Sequence, residues 1–341
     1  MSKAAKKGQI HSQNTLACVW DFDKTLIPGY MQTPLFNQFG VNEKIFWSEV
    51  NKLPQIYANR GLSVSAETIY LNHLLSYVKN GPMRGLTNQK LYELGNELEF
   101  YPGLPQFFDE LALIPTENEY KDYDFKLEHY VISTGLSQMI LGSKIASHVQ
   151  GIFASEFIES ALPPNFLSQT DLSLPIDPEI SQIGLAVDNT IKTRFIFEIN
   201  KGCNKSSSID VNSSIPHELR RIPFEQLIYV ADGPSDVPVF AVVKQMGGKT
   251  YAVYDPNDES EFAQTCDLVE SGRVHNNGPA DYSFRSATSI WMKQKIREIL
   301  SSMRIKREES LRQNITAAPK HMPKTENIQD SNEWKQETLW Q

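Results

Sequence analysis

Two aspartates two positions apart, Asp21 and Asp23, follow directly on the apolar run of residues 16–20, and a hydroxyl follows at Thr25. Two carboxylates this close repel if both are enclosed and ionised. One must therefore keep a proton, or a cation must sit between them. Ligands of open α/β sheets gather where buried strands run out, so acids at that point are placed for either use. Three further stretches carry similar residue types. Ser133 closes the apolar segment 130–132, Lys192 opens a helical pattern, and Asp232 and Asp236 follow the apolar segment 227–230 in the run Ala-Asp-Gly-Pro-Ser-Asp. Each has a plainer reading when taken alone. The Asp-x-Asp pair reads as an acidic turn, Ser133 as a helix cap, Lys192 as a solvated residue with Arg194 close behind it, and Asp236 as the cap of the next helix.

The elements that must position these residues follow from periodicity and punctuation. Residues 16–20 form a buried strand, and Pro28 and Gly29 turn the chain out of it. Residues 34–98 are helical in pattern. Phe46, Val50, Leu53 and Tyr57 recur at helix spacing, as do Ile69, Leu74, Leu75 and Val78 after a cap at Ser65. Leu91, Leu94 and Leu98 follow a cap at Thr87. Gly81, Pro82 and Gly85 separate the last two helices. Leu104, Phe107, Phe108 and Leu111 predict a short amphipathic helix. Beyond it strands are expected at 130–132, 151–157, 227–230 and 250–254, alternating with helices at 139–149, 190–200 and 237–246, with Gly202 stopping the second of these. A Pro-rich connection runs to Pro178, residues 203–217 form a polar loop, and a final helix spans about 285–303. Alternation of this kind implies a doubly wound, Rossmann-like parallel sheet with right-handed crossovers, its strand ends sharing one edge. The expected organisation is an α/β core of residues 14–28 and 101–303 with a small helical cap, residues 29–100, inserted after the first strand. Residues 1–13 and 304–341 read as disordered, the latter despite Trp334 and Trp340.

Composition narrows the classes. The 341 residues are 40% hydrophobic and 22% charged, ordinary for a soluble globular enzyme, and the formal net charge of −8 disfavours nucleic acid or an anionic membrane as partner. Cys18, Cys203 and Cys266 are odd in number and lack metal-ligand spacing, so neither structural disulfides nor a zinc site is expected. The basic N-terminus has no apolar stretch of signal-sequence length, and no run approaches the roughly 18 residues of a membrane helix. A cytoplasmic location is expected. Oligomeric state is not legible.

In this order Asp-x-Asp-x-Thr at 21–25, Ser133, Lys192 and Asp-Gly-x-x-Asp at 232–236 resemble the four motifs of the haloacid dehalogenase superfamily, in its phosphatase branch. The resemblance spans residues 16–254. It implies that Asp21 attacks phosphorus and becomes an aspartyl phosphate, while Asp23 protonates the leaving alcohol and then deprotonates the hydrolytic water. Ser133, with the backbone at Thr134 and Gly135, and Lys192 would bind the phosphoryl oxygens. Mg²⁺ would be held by Asp21, the backbone carbonyl of Asp23, Asp232 and Asp236, the last as ligand or anchor. Ala231 stands where the family has glycine. Asp23, Lys24 and Thr25 also spell the motif of cation-pumping ATPases, but those need membrane helices. The dehalogenase branch lacks an acid at the Asp23 position.

The 110 residues between Asp23 and Ser133 leave room for a cap resembling that of phosphoserine phosphatase. Such lids exclude water and favour a small phosphorylated metabolite as substrate. Arg60 and Arg84 are cap cations that could meet an anionic group, or simply lie on the surface. A phosphotransferase or mutase would use the same residues. A silent binding protein on the same fold would have lost Asp21 or Asp23.

Overall fold

A computed structural model describes residues 13–162, 164–168 and 178–316. In chain order the elements are β1 (Thr15–Trp20), α1 (Thr33–Phe39), α2 (Glu43–Ala58), α3 (Ile69–Asn80), α4 (Asn88–Gly95), α5 (Gln106–Leu113), β2 (Lys126–Leu136), α6 (Ser137–Leu141), β3 (Gly151–Glu159), β4 (Ile180–Leu185), α7 (Asn189–Lys201), β5 (Leu227–Ala231), α8 (Val237–Gln245), β6 (Lys249–Tyr254), α9 (Glu259–Glu270), β7 (Asn276–Pro279) and α10 (Ala287–Thr316). Among the described residues the strands form one sheet in the order β4-β3-β2-β1-β5-β6-β7. All neighbours are parallel except β3 and β4.

All six residues of β1 are buried, because helices cover both faces of the sheet at its centre. Alternate side chains serve different layers. Leu16, Cys18 and Trp20 join a core with Phe107 and Phe108 of α5 and Met292, Ile296 and Leu300 of α10. Ala17 and Val19 face Phe195 and Ile199 of α7 and Phe240 and Val243 of α8. Helices α1 to α4 lie between β1 and α5 in the chain, where the helical insertion was expected. Their apolar residues Phe36, Phe46, Tyr70, Leu74 and Leu91 belong to the same core as Trp20. The inserted helices and that face of the sheet thus share one apolar interior.

Several expectations are corrected. The helix expected at 139–149 is α6, ending at Leu141, with a single 3₁₀ turn at Ala146–His148. A Cβ at Gly142 would lie 1.7 Å from Tyr92 O, so the chain must leave the helix where α4 crosses it. Between the Pro-rich connection and the helix that follows it lies β4, an antiparallel edge strand, and α9 and β7 also stand where no element was expected. The residue at the N-cap position of α3 is Thr68, which makes no side-chain cap bond, rather than Ser65, whose hydroxyl bonds Glu67. Thr87 does cap α4, accepting from Lys90 N at 3.0 Å. Helix α10 continues past Met303 to Thr316, into residues expected to be disordered. Arg304, Glu308 and Arg312 pair at i,i+4 spacing there, and the Tyr123 hydroxyl donates to Glu308 at 2.7 Å. The tail beyond Thr316 and the N-terminus before Gln13 lie outside the described residues. No helix among those described is long and apolar enough to cross a membrane, and the three cysteines are free.

Candidate active site

The ladder of β1 continues one residue past the strand, through Asp21 N donating to Val230 O at 2.9 Å, which seats Asp21 beside the end of β5. The chain then turns tightly. Phe22 O accepts from Leu26 N at 2.8 Å, Lys24 takes a left-handed φ of 57°, and the buried Phe22 ring meets Phe100 edge-on. The Tyr282 hydroxyl donates to the backbone carbonyl of Thr25 at 2.7 Å and pins the loop there. On its return the chain gives Met31 N to Asp23 Oδ1 at 2.9 Å.

Strand β5 delivers Asp232 and, after a 3₁₀ turn at Pro234–Asp236, a fully buried Asp236. Asp236 sits at the start of α8 but makes no side-chain cap. Its carboxylate instead accepts from the Tyr229 hydroxyl, from Ser235 Oγ at 2.7 Å and from Lys192 Nζ at 2.7 Å. Helix α7 starts at an Asp188 cap that accepts from Thr190 N and Ile191 N at 2.8 and 2.7 Å. That start sends Lys192 inward, where Nζ also reaches Asp21 Oδ1 at 2.8 Å, whereas Arg194 points outward to Glu198. The pairing of β1 with β2 ends at Val131, freeing residues 133–135 from that neighbour. Gly135 N donates to Ser133 Oγ at 3.0 Å.

Carboxylate oxygens of Asp21, Asp232 and Asp236 lie within 4.8 Å of one another, with Lys192 bonded to two of the three acids. Three acids against one lysine leave the cluster short of positive charge. Burial raises the Asp21 carboxyl to about 6, against the pull of Lys192. Burial and then the charge of Asp21 raise Asp23 to about 8. Asp232 is pushed well above the carboxylate range by burial, then by Asp21 and Asp236. Burial alone would lower Lys192, but Asp21 and Asp236 outweigh it and hold the ammonium charged. Such a cluster takes up protons or a cation. An oxygen-only donor set suits a hard divalent ion such as Mg²⁺. The Asp23 carboxylate is not part of the three-acid cluster.

The cap arginines Arg60 and Arg84 are exposed, Arg60 lying over the Tyr57 ring at 6.0 Å. Sequence reading passed over Tyr229, Met31 and Tyr70. Nothing marks Tyr229 in an apolar strand or Met31 in a turn. Tyr70 carried a signal, because a tyrosine on the apolar face of a helix must find a partner for its hydroxyl.

A Borreliella burgdorferi protein described only as uncharacterized is 38% identical over 288 residues, covering 83% of this chain and 97% of its own. The chain belongs to the family of that protein. No family model matches it. Solved structures that overlap with it include a HAD-family hydrolase from Salmonella enterica serovar Typhi, at TM-score 0.45 and 15% identity over 77% of this chain and 66% of that one. A phosphoserine phosphatase in apo form gives 0.44 and 14%, covering 77% and 92%, and a probable phosphoserine phosphatase from Vibrio cholerae 0.43 and 12%, covering 86% and 68%. This chain thus spans just under two thirds of the Salmonella protein's length. The fold is the mostly parallel α/β sheet that was expected, with Asp21 and Asp232 directly after β1 and β5, whereas Ser133, expected to close its strand, lies inside β2, which runs on to Leu136.

Proposed function

We propose that the chain is a Mg²⁺-dependent phosphomonoester hydrolase that acts on a small phosphorylated metabolite through an aspartyl phosphate. The observation that carries this reading is the convergence of Asp21, Asp232 and Asp236 around Lys192 at the ends of two paired parallel strands. A dianionic ester reaches a carboxylate nucleophile only where positive charge awaits it. Mg²⁺ bound by Asp21, the Asp23 carbonyl, Asp232 and Asp236 would supply the charge that Lys192 alone does not. An Asp21 oxygen forms the bond to phosphorus as the bond to the leaving oxygen breaks, and Asp23 gives that oxygen its proton. A carboxyl raised to about 8 is protonated at neutral pH and suited to that donation. Asp23 then takes a proton from the water that attacks the aspartyl phosphate, restoring Asp21 and releasing phosphate. The Ser133 hydroxyl, which the Gly135 amide meets at 3.0 Å, rotates toward a phosphoryl oxygen and leaves the Gly135 N–H free to donate to another. A small substrate is favoured because the inserted helices pack on the core against the site.

The test is hydrolysis of an aryl phosphate with Mg²⁺ by wild type and Asp21→Asn, followed by a panel of phosphorylated metabolites. Release that requires both Asp21 and the cation supports the reading. A metal-loaded wild type that hydrolyses none of the esters overturns it.

A further inference from the structure

The Thr134 carbonyl and the Gly135 N–H are the two ends of one planar peptide, so whatever fixes the first aims the second. Two hydroxyls donate to Thr134 O. One is Ser155 Oγ of β3 at 3.1 Å, itself accepting from Val187 N at 3.1 Å. The other is the Tyr70 hydroxyl, which comes from α3 in the inserted helices. Tyr70 is 6% exposed, and its ring lies 5.8 Å from that of Trp47 on α2. Burial and the nearby Asp23 push the phenol further up, so it is always a donor. The other end of the peptide packs against the buried Met31 side chain. A Cβ on Gly135 would fall 2.2 Å from Met31 Cε and 2.6 Å from Met31 Sδ, and Leu136 N donates to that sulfur at 3.0 Å. Donation to a carbonyl also polarises its peptide and strengthens the N–H at the far end as a donor.

We propose that Tyr70 is a positioning residue: its hydroxyl sets the Thr134–Gly135 peptide so that the Gly135 amide is aimed at a phosphoryl oxygen only while the inserted helices are seated on the sheet. The proposal rests on the hydrolase reading for what the amide binds. It makes phosphate affinity depend on an atom that need not touch the phosphate. Loss of one hydrogen bond to this carbonyl should weaken binding about 5- to 10-fold.

The experiment uses the full chain with Mg²⁺ and compares wild type, Tyr70→Phe, Ser155→Ala and Asp21→Asn. Phenylalanine keeps the ring against Trp47 and removes only the donor. The readouts are KM and kcat for the aryl phosphate, the inhibition constant of inorganic phosphate, and the Gly135 ¹⁵N–¹H resonance with and without phosphate. Expected for Tyr70→Phe are a KM and a phosphate inhibition constant raised together about 5- to 10-fold, a smaller change in kcat, and a Gly135 amide resonance shifted before phosphate is added. Ser155→Ala should move the same readouts in the same direction, and it decides the matter if Tyr70→Phe does not fold. If wild type hydrolyses the ester and Asp21→Asn does not, yet both hydroxyl variants keep the wild-type phosphate constant and Gly135 shift, the positioning role is overturned and the hydrolase stands. If wild type is inert but binds phosphate, and the hydroxyl variants weaken that binding and shift Gly135, the hydrolase reading falls and the positioning role stands. A wild type that neither hydrolyses the ester nor binds phosphate overturns both.

Discussion

Met31 gives its backbone amide to Asp23 Oδ1 at 2.9 Å, which ties one oxygen of the second acid to the return of the loop and orients the carboxyl as a whole. Asp23 titrates near 8, so it is protonated below that pH and loses its donor role above it. With an alkyl phosphate, whose leaving oxygen needs a proton, the rate should fall as pH rises through about 8. An aryl phosphate should feel this less. Asp23→Asn should slow the alkyl ester about 10²- to 10⁴-fold and remove the alkaline limb. Pre-steady-state pH–rate profiles for the two esters check both points.

Lys192 is the counter-charge shared by Asp21 and Asp236, and all three side chains are buried. Removing one member of such a cluster strands the others. Lys192→Met should cost about 3–5 kcal/mol in chelator. Urea denaturation with and without Mg²⁺ measures it, and the lost activity should persist at saturating cation.

His129 should make the fold acid-sensitive. Trp20 Nε1 donates to its Nδ1 at 3.2 Å, so the ring proton sits on Nε2, 3.2 Å from Phe108 O. Burial lowers the imidazole to about 4 from 6.5, with the Phe108 carbonyl opposing. The unfolded chain thus binds the proton more tightly, and the stabilisation is complete above pH 6.5 and lost as pH falls toward 4. The loss is about 3 kcal/mol. The difference in unfolding free energy between wild type and His129→Leu, followed over that window, should carry this slope. Equal pH dependence in the two proteins would refute it.

Helix α4 lies backbone to backbone on the segment closing α6. A Cβ at Gly95 would sit 2.0 Å from Met139 O, and one at Gly142 would sit 1.7 Å from Tyr92 O. Gly95→Ala and Gly142→Ala should each cost about 1–3 kcal/mol or more, because carbonyls cannot rotate aside as side chains can. They should also raise KM, since the inserted helices must lift. Denaturation midpoints and Michaelis constants test this, and the two costs should not add.

What could be read from the chain and what could not divides along physical lines. Strand β1 announces itself because both faces are covered, so its residues are apolar without alternation. Asp21, Asp23 and Asp232 were legible as acids at strand ends. Choosing Lys192 over Arg194 required the starting phase of α7, which the Asp188 cap sets. Strand β4 was hidden because Ile-Ser-Gln-Ile-Gly-Leu has neither a continuous apolar run nor clean alternation. Its place is fixed by neighbours distant in sequence, including Leu86 O, which accepts from Ile180 N at 2.9 Å. Strand β7 likewise owes its conformation to residues distant in sequence, pairing with β6 and bonded through Asn277 to Thr265 of α9 and through Pro279 O to Thr288 of α10. Helix α9 was readable and missed, for Asp258 accepts from Ser260 N and Glu261 N with the acid three residues on that marks a helix start.

The hairpin of β3 and β4 also binds the inserted helices along a line remote in sequence from their two chain connections. Ile180 N donates to Leu86 O, Asn88 Nδ2 to Phe157 O, Gly85 N to Glu179 and Asn88 N to Glu159. Swinging the helices away means giving up these four bonds together, at about 0.5–1.5 kcal/mol each. Openings wide enough for a substrate to pass are therefore infrequent events. For the hydrolase proposed above, traffic through them would cap turnover whatever is done to the acids, and loosening this hairpin should raise the cap.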